Sequence, residues 1–190
     1  NQPLGKTAGM WCEINESIQA LKGNGAIDLM DVVFEVGNKL IIDSGLTDTP
    51  SKAIEMQRQS IDSGNAYNKF EEMVFNQGGY IEKTSELNEP LFSKKVISEK
   101  NGFIKSFDTT ALGWAATLMG CGRINKNDNL DNTAGIVFNA KVGDQVNKGD
   151  SIMQCFGSDE NKLDQAYSQL KETFQIAEEK VESQAMIFRD

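Results

Sequence analysis

The hydrophobic period changes near residue 90, and that change restricts the chain to a two-part architecture. Before it, apolar residues recur at helical spacing. Ile14, Ile18 and Leu21 fall at i, i+4 and i+7, and Gly23 closes that helix. Leu29, Val32, Val33, Val36, Leu40 and Ile41 form a stronger stripe, from Asp28 as N-cap to Gly45. Thr49-Pro50 reads as the N-cap and first residue of a third helix, carried through Ile54 and Ile61 to Ser63-Gly64. A fourth carries Tyr67, Phe70, Val74 and Phe75 and stops at Gln77-Gly78-Gly79. Tyr80 to Pro90 reads as a polar connector.

Beyond it the period shortens. Val96 to Phe107 alternates as strands broken at Asn101-Gly102. Thr109 to Gly120 is a helix of small residues. Gly135 to Gly157 reads as strand, turn, strand, with turns at Val142-Gly143-Asp144 and Lys148-Gly149-Asp150. A last helix starts near Ser158 and buries Leu163, Ala166, Tyr167, Leu170 and Phe174, and Met186-Ile187-Phe188 suits a final strand. The expected fold class is α+β: a helical part over residues 1–90, then an α+β lobe over residues 91–190.

Charge and residue usage narrow the function. The net charge of -9 argues against nucleic acid, because phosphate backbones are bound by clustered Lys and Arg. The Lys94-Lys95 pair is flanked by Glu89 and Glu99. No apolar run approaches the ~20 residues of a membrane span, and no basic start with an apolar core marks a secretory signal. Three widely spaced cysteines, Cys12, Cys121 and Cys155, form no C-x-x-C pair and suit reduced thiols in a cytoplasmic protein. The sequence holds no histidine, which excludes Ser-His and Cys-His nucleophile pairs and imidazole metal ligands. Any chemistry here falls to Lys, Arg, Asp, Glu, Ser and backbone groups, or lies outside these residues. The start at Asn1, without Met, suggests part of a longer polypeptide.

Three stretches invite a functional reading. Gly5-Lys6-Thr7 matches the end of a phosphate-binding loop, but such a loop needs an earlier glycine and several amide donors, and Pro3 lacks one. The hairpin VGDQVNKGDSI has the shape of a biotinyl or lipoyl carrier domain, with no lysine in a carrier setting. The acidic residues Glu13, Glu16 and Asp28 read as a solvated helix face. Glu16 sits about 200° around the helix from Ile14, away from the apolar stripe.

Four segments carry a resemblance. NQPLGKTAGMWCEINESIQALKGNG, AYNKFEEMVFNQGG, GWAATLMGCGR and AGIVFNAKVGDQVNKGDSI resemble, in order, segments of the pyrimidine nucleoside phosphorylases, which include thymidine phosphorylase. The resemblance implies that residues 1–90 complete the large central α/β domain. Residues 91–190 would form the C-terminal α+β domain with barrel-sandwich-like strands. It implies reversible phosphorolysis of thymidine- or uridine-type nucleosides, with phosphate as co-substrate, in a homodimer of subunits longer than 400 residues. The residues that hold phosphate and pyrimidine would lie upstream, so no catalytic residue is assigned in this chain. It further implies a potassium-like monovalent cation, bound by the backbone carbonyls of Leu4 and Thr7 and the side chain of Glu16. Oxygen ligands of this kind suit a hard cation. The family's Gly-Asn-Ala-Leu-Glu stands here as Gly9-Met10-Trp11-Cys12-Glu13, a departure next to that site. The rival readings are a related nucleotide phosphorylase acting on AMP and a carrier or binding module built on residues 92–190.

Overall fold

A computed structural model describes residues 2–182 and 185–187. The chain is α+β and divides into two compact units: residues 2–14 with 88–182, and residues 15–87. The boundary between the units falls at residues 87–88, and residues 2–14 group with the later segment. Sequence reading placed them in the helical part. Three of them form a strand that hydrophobic periodicity is too short to register.

The first unit is built on two antiparallel sheets. In one, β1 (Thr7–Gly9), β4 (Gly135–Phe138), β6 (Ser151–Gly157) and β2 (Phe92–Ile97) lie side by side in that order. In the other, β3 (Gly102–Phe107) lies between β5 (Gln145–Val146) and β7 (Phe174–Ala177). Two helices complete the unit. Helix α6 (Thr109–Ala116) is capped by Asp108, whose carboxylate accepts the Ala111 N–H at 2.9 Å. It runs into a wider turn over Thr117–Cys121. Helix α7 (Glu160–Leu170) is capped in the same way by Asp159, from the Lys162 N–H at 3.1 Å. One core joins sheets and helices: Val96, Ile104, Phe107, Leu112, Met119, Ile136, Phe138, Ile152, Met153, Leu163 and Leu170 are all buried in it. Phe107 meets Phe138 edge to face at 6.1 Å.

The second unit is helical: most of α1 (Trp11–Leu21), then α2 (Ile27–Asp43), α3 (Pro50–Asp62), α4 (Asn65–Asn76) and α5 (Ile81–Leu87). Thr49 and Pro50 open α3 as expected, whereas α2 starts after Ala26 and carries Asp28 in its first turn. Helices α2 and α3 meet where Gly37 leaves room for Gln57. The Gln57 amide donates to the Phe34 carbonyl at 3.2 Å and to Asn38 Oδ1 at 2.9 Å, and Arg58 lies over the Phe34 ring at 4.9 Å.

Three local expectations change. The segment from Tyr80 to Pro90 contains α5 rather than a plain connector. Phe174 starts strand β7 instead of ending the last helix, which stops at Leu170. Met186 and Ile187 lie outside any strand, and Phe188 falls outside the described residues.

Candidate functional site: the loop before the first strand

Residues 2–6 run alongside the end of β4 and the turn that follows it. The Phe138 N–H donates to the Lys6 carbonyl at 2.8 Å, and the Met10 N–H donates to the Ala134 carbonyl at 3.2 Å. Between these two anchors Thr7 pairs with Val137, Ala8 with Ile136 and Gly9 with Gly135. In an antiparallel ladder bonded and non-bonded pairs alternate, so the Thr7 carbonyl is turned away from β4. Gly5-Lys6-Thr7 therefore enters a sheet edge. It does not open a helix, as a phosphate-cradling loop must.

Two glycines make this path possible. Gly5 sits at φ +69°, the left-handed region that glycine enters at no steric cost. Gly9 crosses Gly135 so closely that a Cβ on it would stand 2.6 Å from the Gly135 Cα. The Cys12 sulfur packs against the same crossing, 2.5 Å from where a Gly135 Cβ would be. Burial raises the pKa of the Cys12 thiol, so it stays neutral and acts as apolar packing. Glu13, in the first turn of α1, reaches back to accept the Gly9 N–H at 2.7 Å. One member of the acidic trio is thus a structural acceptor for the strand end.

The residue that sequence reading missed is Lys141. Its ammonium donates to the Pro3 carbonyl at 2.5 Å and, closer still, to the Gly5 carbonyl. Its own backbone N–H is held by Asp144 Oδ2 at 2.8 Å, and the next N–H, of Val142, donates to Gln2 Oε1 at 2.8 Å. Nothing in the pattern around Lys141 signals this. The segment Asn139-Ala140-Lys141 reads as an ordinary approach to a turn, and its partners lie more than 130 residues earlier.

Leu4 is 40% exposed, between the two carbonyls that Lys141 binds. Thr7 is half-buried in β1. Both belong to the first unit, whereas Glu16 stands half-buried on the part of α1 that belongs to the helical unit. The expected apolar stripe of α1 is also reordered: Ile18 is buried, but Ile14 is 45% exposed. Among the described residues no group of three or more Cys, Asp and Glu side chains is placed to hold a metal ion. A cation on this loop would depend chiefly on backbone oxygens. The register leaves the Thr7 carbonyl facing off the sheet edge.

The family model described as the pyrimidine nucleoside phosphorylase C-terminal domain matches residues 103–177, which run from β3 to the end of β7. A protein of Staphylococcus aureus (strain bovine RF122 / ET3-1) named pyrimidine-nucleoside phosphorylase is 32% identical over 181 residues, 94% of this chain and 42% of that protein. Its counterparts in strains USA300 and NCTC 8325 / PS 47 are 31% identical over the same length. The chain thus spans less than half the length of the curated relatives that it matches. Both the later lobe and the helical unit thus lie within a similarity to pyrimidine-nucleoside phosphorylases, and residues 103–177 match the model of that family's C-terminal domain.

Proposed function

We propose that the chain works as the C-terminal portion of a pyrimidine nucleoside phosphorylase, a pentosyltransferase of nucleoside salvage. The observation that carries this reading is the similarity along 94% of the chain to proteins of that name. In the proposed reaction, phosphate attacks C1′ of a pyrimidine nucleoside, the bond to the base breaks, and free base and a pentose 1-phosphate leave. Its transition state resembles an oxocarbenium ion, so catalysis rests on holding phosphate and stabilising charge on the departing base.

In this reading the groups that touch phosphate and base come from sequence preceding these residues. A chain with no histidine and an acidic surface is suited to a supporting role. The first unit, with its single joined core, supplies a rigid lobe, and closure against the rest of the subunit excludes water. The working protein is a cytoplasmic homodimer, and this chain alone releases no base.

The test is phosphorolysis by the whole protein that carries these residues, with thymidine and uridine in parallel and free base read by ultraviolet absorbance. Release of both bases means a broad pyrimidine specificity, and thymine alone a thymidine phosphorylase. Release of neither by a folded protein overturns the reading, and AMP becomes the next substrate to try.

A further inference from the structure

A groove of about 1020 Å³ opens on the first unit and shares no residue with the loop at residues 2–6. Its walls come from the loop that joins β2 to β3, the turn between β5 and β6, the end of α7 and strand β7. Its size stands at the upper end of the ~300–1,000 Å³ of small-molecule clefts. Two of these walls are tied to each other. The Lys148 N–H donates to Asn101 Oδ1 and the Gly149 N–H to the Ser98 carbonyl, both at 2.8 Å, and the Ser98 N–H donates to the Asp150 carbonyl at 2.8 Å. Ser98 is buried, and its hydroxyl donates to the Lys100 carbonyl at 2.5 Å. The backbone under Lys100 and Lys148 is therefore fixed before any ligand arrives, which lowers the ordering cost of binding.

The charge in this groove runs against that of the chain. Acidic side chains outnumber basic ones by 28 to 19 overall, yet the lining holds Lys100, Lys148 and Lys171 against one carboxylate, Glu99. The three lysines are exposed and come from three different segments. Lys171 lies 5.2 Å from the centre of the Tyr167 ring. Lys94 approaches the same ring at 5.8 Å, but it is already paired with Asp164. The rest of the lining is partly apolar: Tyr167, Phe174 and Ile176 are half-buried, and Ile97 is 50% exposed. Three ammonium groups suit a chain of phosphates, which they bind as point charges, and the apolar wall suits a flat ring. A nucleic acid strand is a poor match, because a chain of net charge -9 repels the phosphates that run beyond the groove. We propose that this groove binds a nucleoside di- or triphosphate, with its phosphates on Lys100, Lys148 and Lys171 and its base against Phe174 and Ile176. The site stands on the groove alone and is independent of the reaction proposed above.

The test uses the whole protein that carries these residues, in low-salt buffer without divalent metal, with uridine triphosphate, tripolyphosphate and uridine as probes. Protection of lysines from acetylation, read by mass spectrometry, locates each probe, and its concentration dependence gives the affinity at that place. Uridine triphosphate is expected to protect Lys100, Lys148 and Lys171 together, tripolyphosphate to protect them only at higher concentration, and uridine not at all. Lys100→Glu and Lys148→Glu should each weaken protection of the remaining two lysines about tenfold or more, as the loss of a charge-assisted contact does. Lys52→Glu, on helix α3 of the other unit, should change it by less than about twofold. The groove lysines are exposed, so the melting temperature of each variant should stay near the natural value and separate lost binding from lost fold. The proposal is overturned if uridine triphosphate leaves the three lysines unprotected, if it protects lysines across the chain alike, or if the groove variants keep the natural affinity. Equal protection by tripolyphosphate and uridine triphosphate overturns the assignment to a nucleotide. If one groove variant fails to fold, protection in the natural protein and the affinity of the other variant decide.

Discussion

The carboxylate of Asp131 binds Ser158 twice, through the backbone N–H at 2.7 Å and the hydroxyl at 2.8 Å. Its other oxygen accepts the N–H and hydroxyl of Thr133, at 2.9 and 2.7 Å. One side chain thus ties the approach to β4 to the residue that leads into α7. Burial works against its charge, but the hydrogen bonds from Ser158 and Thr133 outweigh burial and hold the carboxyl below its usual value. Asp131→Asn replaces acceptor oxygen by a donor, facing N–H groups that need an acceptor. The expected loss is about 2 kcal/mol in urea unfolding. Because the folded value is depressed, this stability is complete above about pH 4 and fades as pH falls through the folded value. The Asn variant should show a shallower acid limb than the natural chain below about pH 4. Equal acid limbs would remove Asp131 from the account.

Gly9 meets Gly135 with no room for a methyl group. In Gly9→Ala the new Cβ lands 2.6 Å from the Gly135 Cα and 2.7 Å from the Ala134 carbonyl oxygen, both backbone atoms that cannot swing aside. Unfolding by urea should reveal a loss above about 2 kcal/mol, in the range of a forced backbone clash. A variant as stable as the natural chain would mean that β1 does not pair with β4 in solution.

A helix-stabilising change should fail at Gly37. Alanine within a helix is favoured over glycine by about 1 kcal/mol. Here a Cβ would sit 1.9 Å from the Gln57 side-chain oxygen. The amide would have to leave Phe34 and Asn38, so Gly37→Ala should be neutral or destabilising. The double variant Gly37→Ala, Gln57→Ala should melt above Gly37→Ala alone. A double-mutant cycle reads this coupling, and strict additivity of the two changes refutes the contact.

Burial pushes the Cys121 thiol up to about 12 and the Cys155 thiol up to about 11. At pH 8 the reactive thiolate of Cys121 is then roughly a thousandfold scarcer than in an ordinary thiol. Labelling by a disulfide reagent should be far slower in the native chain than in urea, with mass spectrometry locating the slow sites. The same shift has a stability sign. Folded values above the unfolded value of 9.0 mean stability that is intact below pH 9 and declines as pH rises towards the folded values. Replacement of Cys121 by Ala should flatten that alkaline decline.

The parts of the fold that sequence made legible are those whose stability is local. Helices α2 to α4 announce themselves by apolar spacing and by Thr49-Pro50, and β2 and β3 by alternation around Asn101-Gly102. What escaped was set by distant partners. β1 spans three residues, too few for any period, and exists because β4 offers it a ladder. Phe174 and Ile176 have spacing that extends a helix as well as a strand, and pairing with β3 decides between them. At the site, Leu4, Thr7 and Glu16 came from likeness to a family. Lys141 could not be found in that way, because its role depends on a loop more than 130 residues away.

The pairing of Thr7 with Val137 also constrains the order in which the chain assembles. Two thirds of the sequence separates these residues, so the sheet edge waits on the closure of a very long loop. The entropic cost of closure grows slowly with length, but contacts so distant along a chain are slow to form. β4, β6 and β2 can pair before β1 arrives, which leaves the free edge of β4 open during synthesis and refolding. Until its own β1 docks, that edge is the place where a second chain's β1 could be captured, and exchange of these strands between molecules is the misassembly to look for in concentrated refolding.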